Sequence, residues 1–231
     1  MMIKSSFKKS ISAVFPFWMM VLVCSCQSPK QKADEQKPSI IEMVYQDTSE
    51  ATINQLKALL KQDEQLFRWK THFIVFGKDI HAALSDSLKM KFPEAELKHY
   101  DDLFYEFNRS YCADTVHASE WEHSILTANL VADTALQKEY LQYHATQFQE
   151  WPEVSKGFCD ASFQQLLLFK NGRQLMLVIS IPKGKSLDEL NPKTTENNPR
   201  VNEWNKLMSK YQEGITGTAE GKTWVFFNGE K

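Results

Sequence analysis

Residues 164–181, QQLLLFKNGRQLMLVISI, decide how the C-terminal half of the chain folds. Two apolar runs, 164–169 and 174–181, flank Lys170-Asn171-Gly172-Arg173, and Asn-Gly between apolar runs signals a hairpin because both residues tolerate positive φ. Upstream, 124–131 (SILTANLV) reads as a strand, and Asp133 or Thr134 offers an N-cap to a helix over 135–149. Trp151-Pro152 kinks or restarts that helix, because Pro152 lacks an amide hydrogen and disfavours helical geometry in the residue before it; 153–158 is then its second half. Downstream, 182–199 is a polar loop, after which Val201, Trp204, Met208 and Tyr211 recur at helical spacing. Gly214, Gly217 and Gly221 end that helix, and 222–227 (KTWVFF) supplies a last strand. The order β-α-β-β-α-β over 123–231 is the ferredoxin-like pattern of the α+β class, with both helices on one face of an antiparallel sheet and the other face free to cover something.

Residues 39–115 read as a smaller α/β domain, with no role legible in them. A strand over 40–46 leads to an amphipathic helix over 49–66 with Ile53, Leu56, Leu59 and Leu60 on one side. A strand over 71–77, a helix over 80–92 and one bent or two short strands over 96–107 follow. No hairpin turn is visible between the second strand and the second helix. This half is therefore no obvious copy of the other, and a degenerate duplicate whose sheet packs on its partner stays open as an alternative.

The N-terminus reads as an address. Lys4, Lys8 and Lys9 precede an almost wholly apolar run over 11–23, and Ser25 stands before Cys26, the order of a signal peptide over 1–25. The run is shorter than the ~20 residues a spanning helix needs, and Pro16 interrupts it. Val23-Cys24-Ser25-Cys26 resembles a bacterial lipobox in which Cys26, preceded by a small residue, becomes the lipidated first residue of the mature chain. Residues 26–38 have no aromatic side chain and read as a flexible tether, so the expectation is an exported protein held on a membrane, on its periplasmic or cell-surface side, through its lipid alone.

The 231 residues, 42% of them apolar, suit a globular chain, and a formal charge of −2 offers no field for a polyanion, so nucleic acid is not an expected partner. Cys112 and Cys159 form no CxxC pair; two free, partly buried thiols are expected in preference to a bridge, and no metal site is expected. His72, His81, His99, His117 and His123 read as surface or internally satisfied residues. No P-loop, GxGxxG, GxSxG or HExxH pattern occurs, and no cofactor is expected.

One constellation stands out. Tyr140 and His144 are four apart and share a helix face, which Trp151, seven further on, rejoins if the kink is mild. An imidazole flanked by a phenol and an indole is an acid–base group with apolar walls, and its ordinary pKa of ~6.5 lets it give and take protons. The same spacing also describes rings packed on a sheet, and Trp204 has that reading too, as the centre of the stripe Val201, Trp204, Met208 and Tyr211. Tyr143 takes the place of Tyr140 if the helix begins late.

YLQYHATQFQEWPEV (140–154), FKNGRQLMLVISI (169–181), NPRVNEWNKLM (198–208) and GKTWVFF (221–227) together resemble the L-rhamnose mutarotase family, over residues 123–228. The resemblance implies interconversion of the α and β anomers of a 6-deoxy hexose without a cofactor. It also implies two sheets paired into a dimeric α+β barrel with the sugar inside, from a homodimer or from two halves of one chain. It makes His144 proton donor and acceptor, Tyr140 its neighbour, and Trp204 the ring against which the sugar packs; Tyr143 and Trp151 complete the expected substrate-binding set. The sequence departs from the family in adding about three residues over 145–150, close to one helical turn of 3.6 residues. An accessory lipoprotein that binds a sugar without turning it over is the alternative.

Overall fold

Period-2 alternation with both strand faces buried gives the continuous apolar runs of the hairpin, and the structure shows where each face goes. The computed structural model describes residues 37–80 and 82–230, so the signal segment, Cys26 and most of the tether lie outside the described residues. The first half of the chain forms β1 (Pro38–Val44), α1 (Glu50–Lys57), β2 (Gln65–Trp69), β3 (His72–Lys78), α2 (Ala82–Lys91) and β4 (Glu96–Tyr100). The second forms β5 (Asp102–Asn108), β6 (Trp121–Leu130), α3 (Thr134–Glu150), α4 (Pro152–Asp160), β7 (Gln165–Asn171), β8 (Gln174–Pro182), α5 (Leu187–Leu190), α6 (Pro199–Met208), β9 (Gln212–Glu213) and β10 (Val225–Gly229).

The strands make one antiparallel sheet in the order β4-β1-β3-β2-β10-β6-β8-β7-β5, with β9 paired to β6. Each half thus has the ferredoxin-like order in which the fourth strand lies beside the first and the third separates the first from the second: β4-β1-β3-β2, then β10-β6-β8-β7. The two join where β10 pairs with β2 at Asn228↔Arg68 and Gly229↔Phe67. At the far ends, β5 follows β4 after the single residue Asp101 and pairs with β7, while the Asn171 side chain donates to the His99 carbonyl at 2.9 Å. The sheet therefore curls until its ends meet, and one chain makes a barrel from two similar halves.

The N-terminal half is thus a copy of the other in topology. Its second strand was hidden because α1 ends at Lys57 instead of running to 66. Leu66 keeps the helical spacing of Leu56 and Leu59 by coincidence and lies on β2. The hairpin turn was hidden as well. Trp69 pairs with His72 around Lys70-Thr71, and Lys70 takes φ of 52° with neither Gly nor Asn to signal it. In the C-terminal hairpin Asn171 pairs with Gln174, so the loop is Gly172-Arg173 and only Gly172, at φ 58°, needs the left-handed region. The polar stretch 182–199 is not all loop: it holds α5, capped by Ser186, and a 3-10 turn over Asn191–Thr194.

Alternate side chains of each strand enter the barrel or face the helices. Inside lie Ile40, Phe67, Ile74, Phe76, Tyr100, Ile125, Leu167, Phe169, Met176, Val178 and Phe227, drawn from both halves and all buried. These side chains fill the barrel interior, the place where the resemblance implied the sugar. One end of the filling is polar. The fully buried Glu42 meets His72 Nδ1 at 2.6 Å, accepts from the Tyr100 hydroxyl at 2.8 Å, and accepts from Gln174 Nε2 of the other half at 3.3 Å. Such partners are what a buried carboxylate requires. The outer face of the N-terminal half is sealed against α1 and α2 by Met43, Leu56, Phe73, Leu88 and Phe92.

Cys112 and Cys159 are joined in a disulfide, with Cα atoms 5.6 Å apart, where two free thiols were expected. The pairing was invisible because Cys112 follows β5. That strand's pairing with β7 brings it beside the last turn of α4, across a separation of 47 residues.

Candidate active site

The outer face of the C-terminal half is covered by α3, α4 and α6, and there the packing leaves a cavity of about 370 Å3. Asp133 caps α3, its Oδ1 accepting from the amides of Ala135 at 2.7 Å and Leu136 at 3.3 Å. From that start, Tyr140, His144 and Gln147 fall on the buried face. Trp204 comes from α6, and Trp224 from the approach to β10. The floor is Leu166, Leu168 and Leu177 of the hairpin. Asn191, Asn205, Ser209 and Gln212 supply polar atoms, and among the described residues no Asp, Glu, Lys or Arg lines the space.

His144 stands among rings: Tyr140 at 4.3 Å between centroids, Tyr105 at 5.2 Å, Trp204 at 5.3 Å and Phe104 at 5.7 Å. Its Nδ1 lies 2.9 Å from the Tyr140 carbonyl, which can only accept, so Nδ1 bears the proton and Nε2 keeps its lone pair. Burial pushes the imidazole down to about 4, against the pull of that carbonyl, and the ring is neutral at pH 7. Burial likewise raises the Tyr140 and Tyr105 hydroxyls above their ordinary value, so both are protonated.

Two carboxamides tie the tyrosines down. Gln212 accepts from the Trp224 indole at 3.1 Å and donates through Nε2 to the Tyr140 hydroxyl oxygen at 3.1 Å. Gln147, fully buried, donates to the Trp151 carbonyl at 2.6 Å and accepts from the Tyr105 hydroxyl at 2.6 Å.

Of the five protein side chains expected at the site, His144, Tyr140 and Trp204 line the cavity together. Tyr143 packs behind, against Trp204 at 6.4 Å and Tyr211 at 6.0 Å. Trp151 ends α3 and packs on Trp204 at 5.5 Å, with the Arg200 guanidinium 3.9 Å over its ring, and does not line the space. The part of α3 between His144 and Trp151 holds Gln147 on its buried face.

Tyr105 and Gln212 were missed. A bulge between Leu103 and Tyr105 lets Leu103 face the barrel while both Phe104 and Tyr105 turn to the helix side, breaking the alternation that sequence reading relies on. Gln212 stands on the two-residue strand β9, too short to have a pattern, and is placed by pairing with Leu130. Among the described residues no group of three His, Cys, Asp or Glu side chains could hold a metal ion.

The chain is similar to an L-fucose mutarotase of Xanthomonas campestris pv. campestris, at 28% identity over 93 residues, 40% of this chain and 72% of that protein. It is also similar to a UPF0734 protein of Dictyostelium discoideum, at 30% identity over 99 residues, 41% of this chain and 73% of that one. Among solved structures it resembles a haem-degrading enzyme of Listeria monocytogenes, with a TM-score of 0.42 and 12% identity over 83% of this chain and 99% of that one. A ferredoxin-fold protein related to antibiotic biosynthesis monooxygenases from Listeria monocytogenes 4b F2365 gives 0.42 and 10% over 85% and 96%. The model of the L-rhamnose mutarotase family matches residues 125–228, the segment that builds the helix-covered cavity, and through that segment the chain belongs to this family.

Proposed function

We propose that this protein interconverts the anomers of an uncharged 6-deoxy hexose, L-rhamnose or a close relative, as an exported lipoprotein anchored through Cys26. The observation that supports this best is the neutral His144, with a lone pair on Nε2, lining a ring-walled, charge-free cavity beside a protonated tyrosine. A volume of about 370 Å3 lies at the small end of ligand pockets, roughly 300–1,000 Å3, and suits a monosaccharide. Aromatic faces pack on the apolar C–H face and the methyl of a deoxy sugar, and a lining that among the described residues holds no lysine or arginine disfavours sugar phosphates and uronic acids.

His144 Nε2 takes the proton of the anomeric hydroxyl. The bond from C1 to the ring oxygen breaks with its electron pair going to that oxygen, which takes the Tyr140 proton. The open-chain aldehyde turns about C1–C2, the C5 hydroxyl returns its proton to Tyr140 as it attacks the other face of C1, and the imidazolium gives its proton back to the new anomeric oxygen. No proton is gained or lost over the cycle. Positioned acid and base groups supply ~10²–10⁴-fold, enough to matter for a reaction that runs slowly in water.

Saturation-transfer NMR between the two anomers of L-rhamnose tests the reading. Exchange should rise in proportion to added protein and return to the buffer rate with His144→Asn. An unchanged rate in that variant rules out the mechanism. Binding of the sugar without faster exchange selects the accessory, non-catalytic role.

A further inference from the structure

The two carboxamides beside the cavity are wired in opposite senses, and their neighbours fix which way round. An indole N–H can only donate, so Gln212 must turn its carbonyl to Trp224 and its amide to Tyr140. The Tyr140 oxygen therefore accepts, and its own proton has no acceptor among the described residues. A main-chain carbonyl can only accept, so Gln147 must turn its amide to Trp151 and its carbonyl to Tyr105. The Tyr105 proton is committed there, and what that hydroxyl has left is a lone pair.

We infer that Gln212 and Gln147 are positioning residues that make Tyr140 the proton donor and Tyr105 a hydrogen-bond acceptor in the same cavity, beside the lone pair of His144. Both tyrosines line the space. A pyranose offers matching groups, a ring oxygen that can only accept and hydroxyls that can donate. Tyr105 comes from β5, ahead of the family-matching segment 125–228, so the acceptor is supplied from outside that segment. The inference rests on the anomer-exchange reading.

Gln212→Glu is the decisive variant. An ionised carboxylate can still accept from Trp224 but cannot donate to Tyr140, whose hydroxyl then turns its proton onto the carboxylate and away from the sugar. At pH 8 kcat should fall by about 10²-fold, the lower end of what an acid group supplies. As the pH is lowered towards 5.5 the introduced carboxyl, half-buried between Tyr140 and Trp224, takes a proton, can donate again, and the rate should recover. The neighbouring titratable groups have their own partners: Glu139 accepts from Tyr211 at 3.2 Å, and Glu213 lies 2.7 Å from Arg173. His144 stays neutral over this range.

Gln212→Leu should lose activity without any such recovery, and thermal melts establish that both variants fold. Tyr105→Phe should raise KM several-fold more than it lowers kcat. A wild-type chain that leaves anomer exchange at the buffer rate overturns the functional reading and the inference with it. A wild type that accelerates exchange, with Gln212→Glu equal to it from pH 5.5 to 8, overturns the inference alone. A folded Gln212→Glu that is slow at every pH also overturns it, because a merely structural role gives that result.

Discussion

Glu42 Oε1 and His72 Nδ1 lie 2.6 Å apart on neighbouring strands inside the barrel, and the same carboxylate reaches Gln174 of the other half. Burial alone would raise the Glu42 pKa. The His72 bond, the Lys98 charge and the Tyr100 hydroxyl outweigh it and hold the carboxyl below its ordinary value of 4.5. A lowered folded-state pKa gives stability that is fully present above the unfolded value and is lost as pH falls through the folded one. Glu42→Gln should therefore destabilise by about 1–3 kcal/mol at pH 7, and its gap from wild type should close below about pH 4.5. His123 and His144 are both pushed down to about 4 by burial, titrate in both proteins and cancel in the comparison. Urea midpoints at several pH values measure it.

The Cys112–Cys159 bridge closes a loop of 47 residues, for which the chain-entropy argument gives about 4 kcal/mol. Thermal melts with and without dithiothreitol should differ accordingly. Because Cys112 follows the strand that holds Tyr105, reduction should also raise KM before it unfolds the protein.

The pH–rate profile should be flat across neutrality. Burial holds the His144 imidazole near 4, so Nε2 keeps its lone pair down to that region and kcat/KM falls only as the pH approaches 4. An ordinary exposed histidine would put the fall near its reference value of ~6.5.

Gly157, in α4, faces the turn after α5 so closely that a β-carbon would collide with the Thr194 carbonyl oxygen. That oxygen is main chain and cannot swing aside. Gly157→Ala should separate α4 from the turn that holds Asn191, costing stability of about 1–3 kcal/mol as overpacking does, and weaken sugar binding as seen by calorimetry.

Cys26→Ser should move the protein from the membrane pellet to the soluble fraction of a bacterium expressing the full chain, while the exchange activity of the released protein stays that of wild type. A protein that stays in the pellet would locate its attachment elsewhere.

The C-terminal hairpin, the capped start of α3 and the shared face of Tyr140 and His144 were legible because local chemistry places them: a Gly at the tight loop, an Asp at the cap, a four-residue step on one helix. What escaped depends on pairing. Lys70 adopts a turn conformation that tertiary contacts impose, the Lys70 ammonium itself donating to the Gly217 carbonyl at 2.8 Å. Tyr105 reaches the site through a bulge, and Cys112 reaches Cys159 through the register of β5 on β7. Gln147 sits within 145–150, the stretch that reads as a departure from the family, and accepts from the Tyr105 hydroxyl. The cavity also lies on the opposite side of the sheet from the barrel interior where the resemblance placed the sugar.

The passage of the chain straight from β4 into β5 has a practical consequence for anyone dissecting the molecule. A fragment beginning near residue 123 would look self-sufficient by family membership, yet it would lack Tyr105 and half of the disulfide. It would also leave β10 and β7 as raw edges and expose Leu167, Phe169, Met176 and Val178 to water. Such a truncate should aggregate, and the two halves should melt together as a single cooperative unit, each serving as the other's interior wall.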